Sequence, residues 1–396
     1  MKLTAASLIL AAGAIKPAIA ASCPAFNYAA PLIKNPLLPN PYQLQDGTPV
    51  TTLADWNCRR DELLDLFQQY ELGDLPPKPH RLGTRFYDAS NTLALTAYEG
   101  DKTIAWNVSI QYPKTGTGPF PAIIAYGGPS IPIPDGVAVL IFNNDAMAQQ
   151  NSASSRGIGK FYDLYGKNAT ASAMMAWSWG VSRIMDALED TPRANIDPTR
   201  VGVTGCSRNG KGALVAGAFE PRIALTIPQE SGSGGSACWR LSDWMYANGT
   251  VTQTASEITG ENVWFSQEFA EFSPNGTIPL LPVDHHELAA LVAPRGLLVI
   301  DNTAYDWLGP WSDYGCMTAG HTAYKALGVP DHMGYSQIGG HLHCSFPTAQ
   351  QGPELTAFFQ RFLLNNASAS TTVWKTDVVA PFVLSQWADW TWPTLA

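Results

Sequence analysis

Apolar and polar positions change period repeatedly along this chain. "TIAWNVSIQYP", from Thr103, alternates with period two, the signature of a strand with one buried face. "FPAIIAYGG", "GVAVLIFNND", "TRVGVTG", "RIALTIPQES", "RGLLVIDN" and "HMGYSQIG" are short, nearly continuous apolar runs and predict strands buried on both faces. Between the second and third of these runs, "SAMMAWSWGVSRIMDALED" carries an apolar face at helical spacing and predicts a helix from about Ala171 to Glu189. A second helix is predicted from Asn209 to Phe219, and "PELTAFFQRFLL" forms a final amphipathic one. Strands that alternate with helices give an α/β fold, with a mainly parallel central sheet sandwiched by helices. No internal repeat is evident.

The two ends read differently. Lys2, an apolar run from Leu3 to Ile15 and the small residues Ala18-Ile19-Ala20 predict a secretory signal peptide over residues 1–20, cut after Ala20 or Ala21. A Pro-rich, aperiodic arm follows to about residue 52, then a helix from Asp55 to about Tyr70, which Gly73 and the prolines of "GDLPPKPH" end. Residues 21–396 are read as one catalytic domain. Its last segment, 367–396, carries Trp374, Trp387, Trp390 and Trp392, too aromatic for a disordered tail, and is predicted to pack back on the body. A sugar-contacting surface is the rival reading of those indoles.

Composition narrows the partners. A formal net charge of −9 with no basic run excludes a general nucleic-acid binder. Past the signal no segment approaches the ~18 apolar residues of a membrane span, so a soluble, secreted monomer is expected. All six cysteines lie beyond the cleavage site, which allows three bridges among 15 pairings. None has C-x-x-C spacing, so neither a metal nor a cofactor is expected. Sequons at Asn107, Asn168, Asn248, Asn275 and Asn366 are glycosylation candidates.

The candidate chemistry sits in "VGVTGCSRNGKGALVAGAF", Val201 to Phe219, which fits two motifs. From Gly205 it spells G-x-x-x-x-G-K, but Gly212 replaces the Ser or Thr that should ligate magnesium in a P-loop. The alternative is a strand, a sharp turn exposing Ser207, and a helix: a nucleophile elbow. Against G-x-S-x-G, Asn209 stands where glycine is usual, a departure expected to survive because asparagine tolerates unusual φ. A serine needs a histidine base and an orienting carboxylate, in the order Ser, acid, His. His341 and His343 in "GGHLHCSFP" are the candidates after the last strand, and a Cys206–Cys344 bridge would favour His343. His285, His286, His321 and His332 are read as surface or structural residues. For the acid, pattern favours Asp301 or Asp306 over Glu230.

"GVTGCSRNGKGA", "IPQESGSGGSACWR", "DWLGPWSDYGC" and "HCSFP" together resemble the fungal glucuronoyl esterases of carbohydrate esterase family 15, over nearly the whole mature chain. The resemblance implies an α/β-hydrolase fold with three disulfides, Cys23–Cys58, Cys206–Cys344 and Cys238–Cys316. It implies cleavage of esters between 4-O-methyl-glucuronic acid of glucuronoxylan and lignin alcohols. It also makes Glu230 the acid, in place of Asp301 or Asp306, and His343 the base. By the same resemblance Arg208 stabilises the oxyanion, and Lys211, Gln253, Glu261 and Trp307 bind the sugar. An acetylxylan esterase, or a non-catalytic hydrolase-like carbohydrate-binding protein, are the alternative readings.

Overall fold

The computed structural model describes residues 23–395, and the expected signal peptide lies outside the described residues. Ten strands form one sheet: β1 (Arg81–Tyr87), β2 (Thr92–Glu99), β3 (Lys102–Gln111), β4 (Phe120–Tyr126), β5 (Ala138–Phe142), β6 (Ile196–Cys206), β7 (Ile223–Gln229), β8 (Gly296–Asp301), β9 (Met333–Gln337) and β10 (Trp374–Lys375). Their order is β1-β2-β3-β5-β4-β6-β7-β8-β9-β10. β1, β2, β3 and β5 pair antiparallel in succession, and every pairing from β5 to β10 is parallel. Among the described residues ten α-helices accompany them: α1 (Leu53–Phe67), α2 (Asn144–Met147), α3 (Lys160–Tyr165), α4 (Ala173–Asp190), α5 (Arg208–Phe219), α6 (Trp239–Ala247), α7 (Ala255–Glu261), α8 (His285–Val292), α9 (Pro310–Ala326) and α10 (Thr348–Phe362). Among the described residues no helix is long and apolar enough to cross a membrane.

The parallel strands are apolar on both faces because each face has its own core. In β4, Ile123 and Ala125 join Leu225 and Ile227 of β7 and Leu298 and Ile300 of β8 under Leu355, Phe358 and Phe359 of α10. Ala122, Ile124 and Tyr126 of the same strand belong to the larger core on the opposite face, with Trp177 and Trp179 of α4 and Leu214 of α5. Period-two alternation thus persists, with both registers buried.

Some elements depart from the pattern. β1 has no buried residue, which removes the apolar signal that would have marked it. α9 is buried on most sides and rich in small residues, so it shows no stripe. α10 starts at Thr348, earlier than predicted, and Pro353 stays in its second turn, where it forgoes one backbone bond. α1 begins at Leu53 behind a Thr52/Asp55 capping box and passes into a π turn, Gln68–Leu72. The tail packs on the body: β10 adds to β9, Trp374 stacks on His321 with centroids 4.4 Å apart, and Trp390 Nε1 donates to Leu38 O at 2.9 Å. The carboxyl ends of the parallel strands β6, β7 and β8 and the loop after β9 lie at one end of the sheet, the usual ligand side of a parallel sheet.

Candidate active site

β6 runs straight into Ser207, which holds φ 58° and ψ −128° at the mouth of α5. That conformation costs a non-glycine residue on the order of 1–3 kcal/mol, and the turn enforces it because the chain must reverse within one residue. Gly205 and Gly210 make the reversal possible: a Cβ at Gly205 would lie 2.4 Å from Asn209 O, and one at Gly210 would lie 2.7 Å from Gln229 O. This corrects the reading of Asn209. It needs no unusual φ, since it sits in the first turn of α5, and Gly210 is the residue that must be small against β7. Asn209 instead accepts hydrogen bonds from Asn144 at 2.9 Å and Gln150 at 3.3 Å, which ties the elbow to α2.

Glu230, the residue after β7, also holds positive φ, 45°, with its N–H fixed to Ile300 O at 2.7 Å. Its Oε2 accepts from His343 Nδ1 at 2.8 Å, from Cys344 N at 2.9 Å and from Asn302 Nδ2 at 3.2 Å. Burial alone would raise the Glu230 pKa, but those bonds outweigh it and hold the carboxyl below its ordinary value. The pattern-based preference for Asp301 or Asp306 fails on geometry. Asp306 is exposed, and Asp301 is buried facing Ser236, whose hydroxyl also reaches Asp313.

The Cys206–Cys344 bridge, with Cα atoms 5.8 Å apart, joins the serine elbow to the histidine loop. A His343 ring nitrogen lies within 4.8 Å of both sulfurs, a spacing that would suit a metal, but the bridge consumes both thiolates. The structure also joins Cys23 to Cys58 and Cys238 to Cys316. Cys344 holds φ 61°. Among the described residues six non-glycine positions have positive φ; three are asparagines, and the others are Ser207, Glu230 and Cys344. Backbone strain outside asparagine is thus confined to this site.

His343 donates through Nδ1 to Glu230, which leaves Nε2 for a substrate or for Ser207. Ser207 Oγ makes no hydrogen bond among the described residues, an arrangement common before substrate binds. His341 lies beside Glu230, with Nδ1 3.9 Å from Glu230 Oε1 and Nε2 3.1 Å from Ile338 O. His285 and His286, expected to be surface or structural, are fully buried.

The guanidinium of Arg208 packs 5.0 Å over the Trp264 ring, with no acceptor among the described residues. Lys211 is only 3 % exposed, and its Nζ donates to Ser231 O and Ser233 O, both at 2.5 Å. Burial lowers its pKa to about 8, opposed by Asp313, Glu261 and Asp301. Gln253 N donates to Trp307 O at 3.1 Å, its Nε2 reaches Glu261 Oε2 at 3.3 Å, and the Trp307 ring meets His343 edge-on at 4.8 Å. Gln253, Glu261 and Trp307 therefore form one wall beside His343, and Lys211 sits beneath the loop that follows Glu230. Sequence reasoning missed Asn302, Tyr305, whose hydroxyl accepts from His343 N at 3.1 Å, and Trp264. Asn302 directly follows "LLVID" and could have been found there; nothing in spacing marks Trp264.

A family model described as fungal glucuronyl esterase matches residues 95–328. The 4-O-methyl-glucuronoyl methylesterase of Hypocrea jecorina (strain QM6a) is 55% identical over 376 residues, 95% of this chain and 80% of that protein. That of Schizophyllum commune is 54% identical over 368 residues, 91% of this chain and 92% of that protein. The glucuronoyl esterase catalytic domain from Hypocrea jecorina superposes with a TM-score of 0.90 at 55% identity, over 94% of this chain and all (100%) of that one. A serine-to-alanine mutant of the Sporotrichum thermophile glucuronoyl esterase, in complex with methyl 4-O-methyl-beta-D-glucopyranuronate, gives 0.90 at 46%, over 95% and 100%.

Proposed function

Because the chain belongs to the glucuronoyl esterase family and is a carboxylic-ester hydrolase of α/β-hydrolase fold, we propose that it cleaves esters of 4-O-methyl-glucuronic acid in glucuronoxylan through an acyl-enzyme on Ser207. The leaving group in its natural substrate is a lignin alcohol. One observation carries the assignment of roles: the 2.8 Å bond between Glu230 and His343, on a loop bridged covalently to the residue before Ser207.

His343 Nε2 takes the Ser207 proton as Oγ attacks the uronoyl carbonyl, and Glu230 stabilises the imidazolium that forms. The tetrahedral oxyanion lies at the N-terminal turn of α5, where first-turn N–H groups have no helical partner and the Arg208 guanidinium is free to turn toward it. Collapse passes the proton from His343 to the departing alcohol. Water then adds to the acyl-enzyme by the same route, releasing the acid and restoring Ser207.

The wall of Gln253, Glu261 and Trp307 takes the uronate, its polar groups bonding hydroxyls and its indole packing on the ring. Lys211 has a narrower part than its position in the motif implied. Two of its three N–H donors hold the 231–233 backbone, so one remains for the sugar. Three disulfides support secretion into an oxidising compartment.

The test is alcohol release from methyl and benzyl esters of glucuronic acid beside acetate release from acetylated xylan. Release from the glucuronate esters, abolished in Ser207→Ala, is expected. Acetate release alone would turn the reading to an acetylxylan esterase, and full activity in Ser207→Ala would remove the serine mechanism.

A further inference from the structure

Outside the active site, a cavity of about 430 Å³ opens between α6 and the 274–279 turn, within the ~300–1,000 Å³ range of small-ligand sites. Its lining is mostly apolar, and it is walled by two aromatic rings that ordinary folding would bury: Trp244, 46 % exposed, and Tyr246, 55 % exposed. Trp244 is held rigidly from behind, packing against Trp311 at 4.9 Å and edge-on to Trp387 at 5.8 Å. The Asp243 carboxylate also lines the cavity, and burial, with the nearby Asp284 charge, lifts its pKa to about 6. Arg240 contributes wall only, since its guanidinium is taken by Asn35 O, Val283 O, Leu281 O and Asp284.

An apolar ring platform with one carboxylate at its edge suits a pyranose, whose C–H face stacks on indole while its hydroxyls or acetamido N–H reach the acceptor. The occupant is indicated by the rim. Asn275, of the sequon Asn275-Gly276-Thr277, is itself a lining residue, exposed, and among the described residues its side chain has no hydrogen-bond partner. Thr277 closes the turn on Pro274 O, through N at 3.1 Å and Oγ1 at 2.6 Å, so the asparagine is presented on a fixed loop. Two of the other sequons lack this pairing. Asn248 is tied back to Trp244 O at 2.8 Å, and the cavity of about 320 Å³ beside Asn107 has no exposed aromatic ring.

We propose that Asn275 carries an N-linked oligosaccharide whose first sugar rings lie in the cavity against Trp244 and Tyr246. The donor is a lipid-diphosphate-linked oligosaccharide. Asn275 Nδ2 bonds to C1 of its terminal N-acetylglucosamine, the C1–O bond to the diphosphate breaks, the lipid diphosphate leaves, and the amide gives up one proton to the transferase base.

The full chain, secreted from a glycosylating host, tests this by glycopeptide mass spectrometry and timed endoglycosidase digestion without denaturant. Asn275 is expected to be occupied, and its glycan to be released about tenfold faster from a Trp244→Ala/Tyr246→Ala variant, the factor one stacked ring supplies. A bare Asn275, or equal release rates, overturns the proposal. Hydroxyl-radical footprinting supplies a second readout that does not require the aromatic variant to fold. Labelling of Trp244 and Tyr246 should rise severalfold in Asn275→Gln, and unchanged labelling overturns the proposal. So does protection of Trp244 by added xylo-oligosaccharide in the glycosylated protein, which would assign the cavity to the polysaccharide.

Discussion

Among the described residues two buried glutamates hydrogen-bond an imidazole, and only one of those imidazoles keeps a ring nitrogen free. Glu230 and His343 meet at 2.8 Å; Glu71 and His285 meet at 2.5 Å. The His343 side chain is 25 % exposed with one ring nitrogen unclaimed, whereas His285 is sealed and spends both nitrogens, Nδ1 on Gly235 O at 2.7 Å and Nε2 on Glu71. Trp239 Nε1 also donates to Glu71 at 3.2 Å. The same two functional groups thus suit opposite ends: a free nitrogen is available to take a proton, and a saturated one makes a fastener. The fastener is not remote, because Gly235 closes the loop that starts at Glu230 and receives the Lys211 ammonium at Ser231 and Ser233.

Substitutions separate the two pairs. Glu230→Gln should lower kcat roughly 10⁴-fold with the fold intact, because the imidazole loses both its orientation and its counter-charge. Asp301→Asn should leave kcat within a few-fold, and a larger loss there than in Glu230→Gln would move the acid. Glu71→Gln should do the reverse, costing about 3–5 kcal/mol of stability in denaturant melts while the surviving folded protein keeps its kcat, since it strands a buried partner. Arg208→Ala should cost about 10²–10³-fold in kcat with little change in melting, as expected of a single oxyanion donor.

The smallest effects are in pH. Burial by itself would lower the His285 pKa, but Glu71 outweighs it and the net is raised. That pair's contribution to stability is therefore complete below the ordinary 6.5 and fades as pH rises through the raised folded value. Glu230 is shifted down, so its contribution is complete above the ordinary 4.5 and fades as pH falls through the lowered folded value. Melts of Glu71→Gln and Glu230→Gln against the parent should converge in alkali for the first and in acid for the second. Convergence at the same end would mean the two pairs are not opposed.

Much of the candidate site was legible. Ser207 follows from a strand, a small-residue turn and a helix, and His343 from its place after the last long strand beside a cysteine that could pair with Cys206. The carboxylate that meets His343 was not legible from pattern, which pointed to Asp301 or Asp306; Glu230 came from family resemblance. The reason is that β7 and β8 end side by side, and the choice between their carboxylates depends on which one the β9 loop reaches. β1 and α9 were missed for a related reason: one buries nothing and the other is buried on most sides, so neither leaves an amphipathic trace.

By itself the sequence determined the alternation that makes a two-faced parallel sheet, the glycines that let Ser207 turn, and the candidate bases, since these depend on neighbours within a few residues. Tertiary structure decided which carboxylate meets His343, that Lys211 is largely spent on the 231–233 backbone, and which of two Glu–His pairs keeps a nitrogen free. Those outcomes depend on groups 20 to more than 200 positions apart, whose separation is fixed only once the sheet has closed between its two cores.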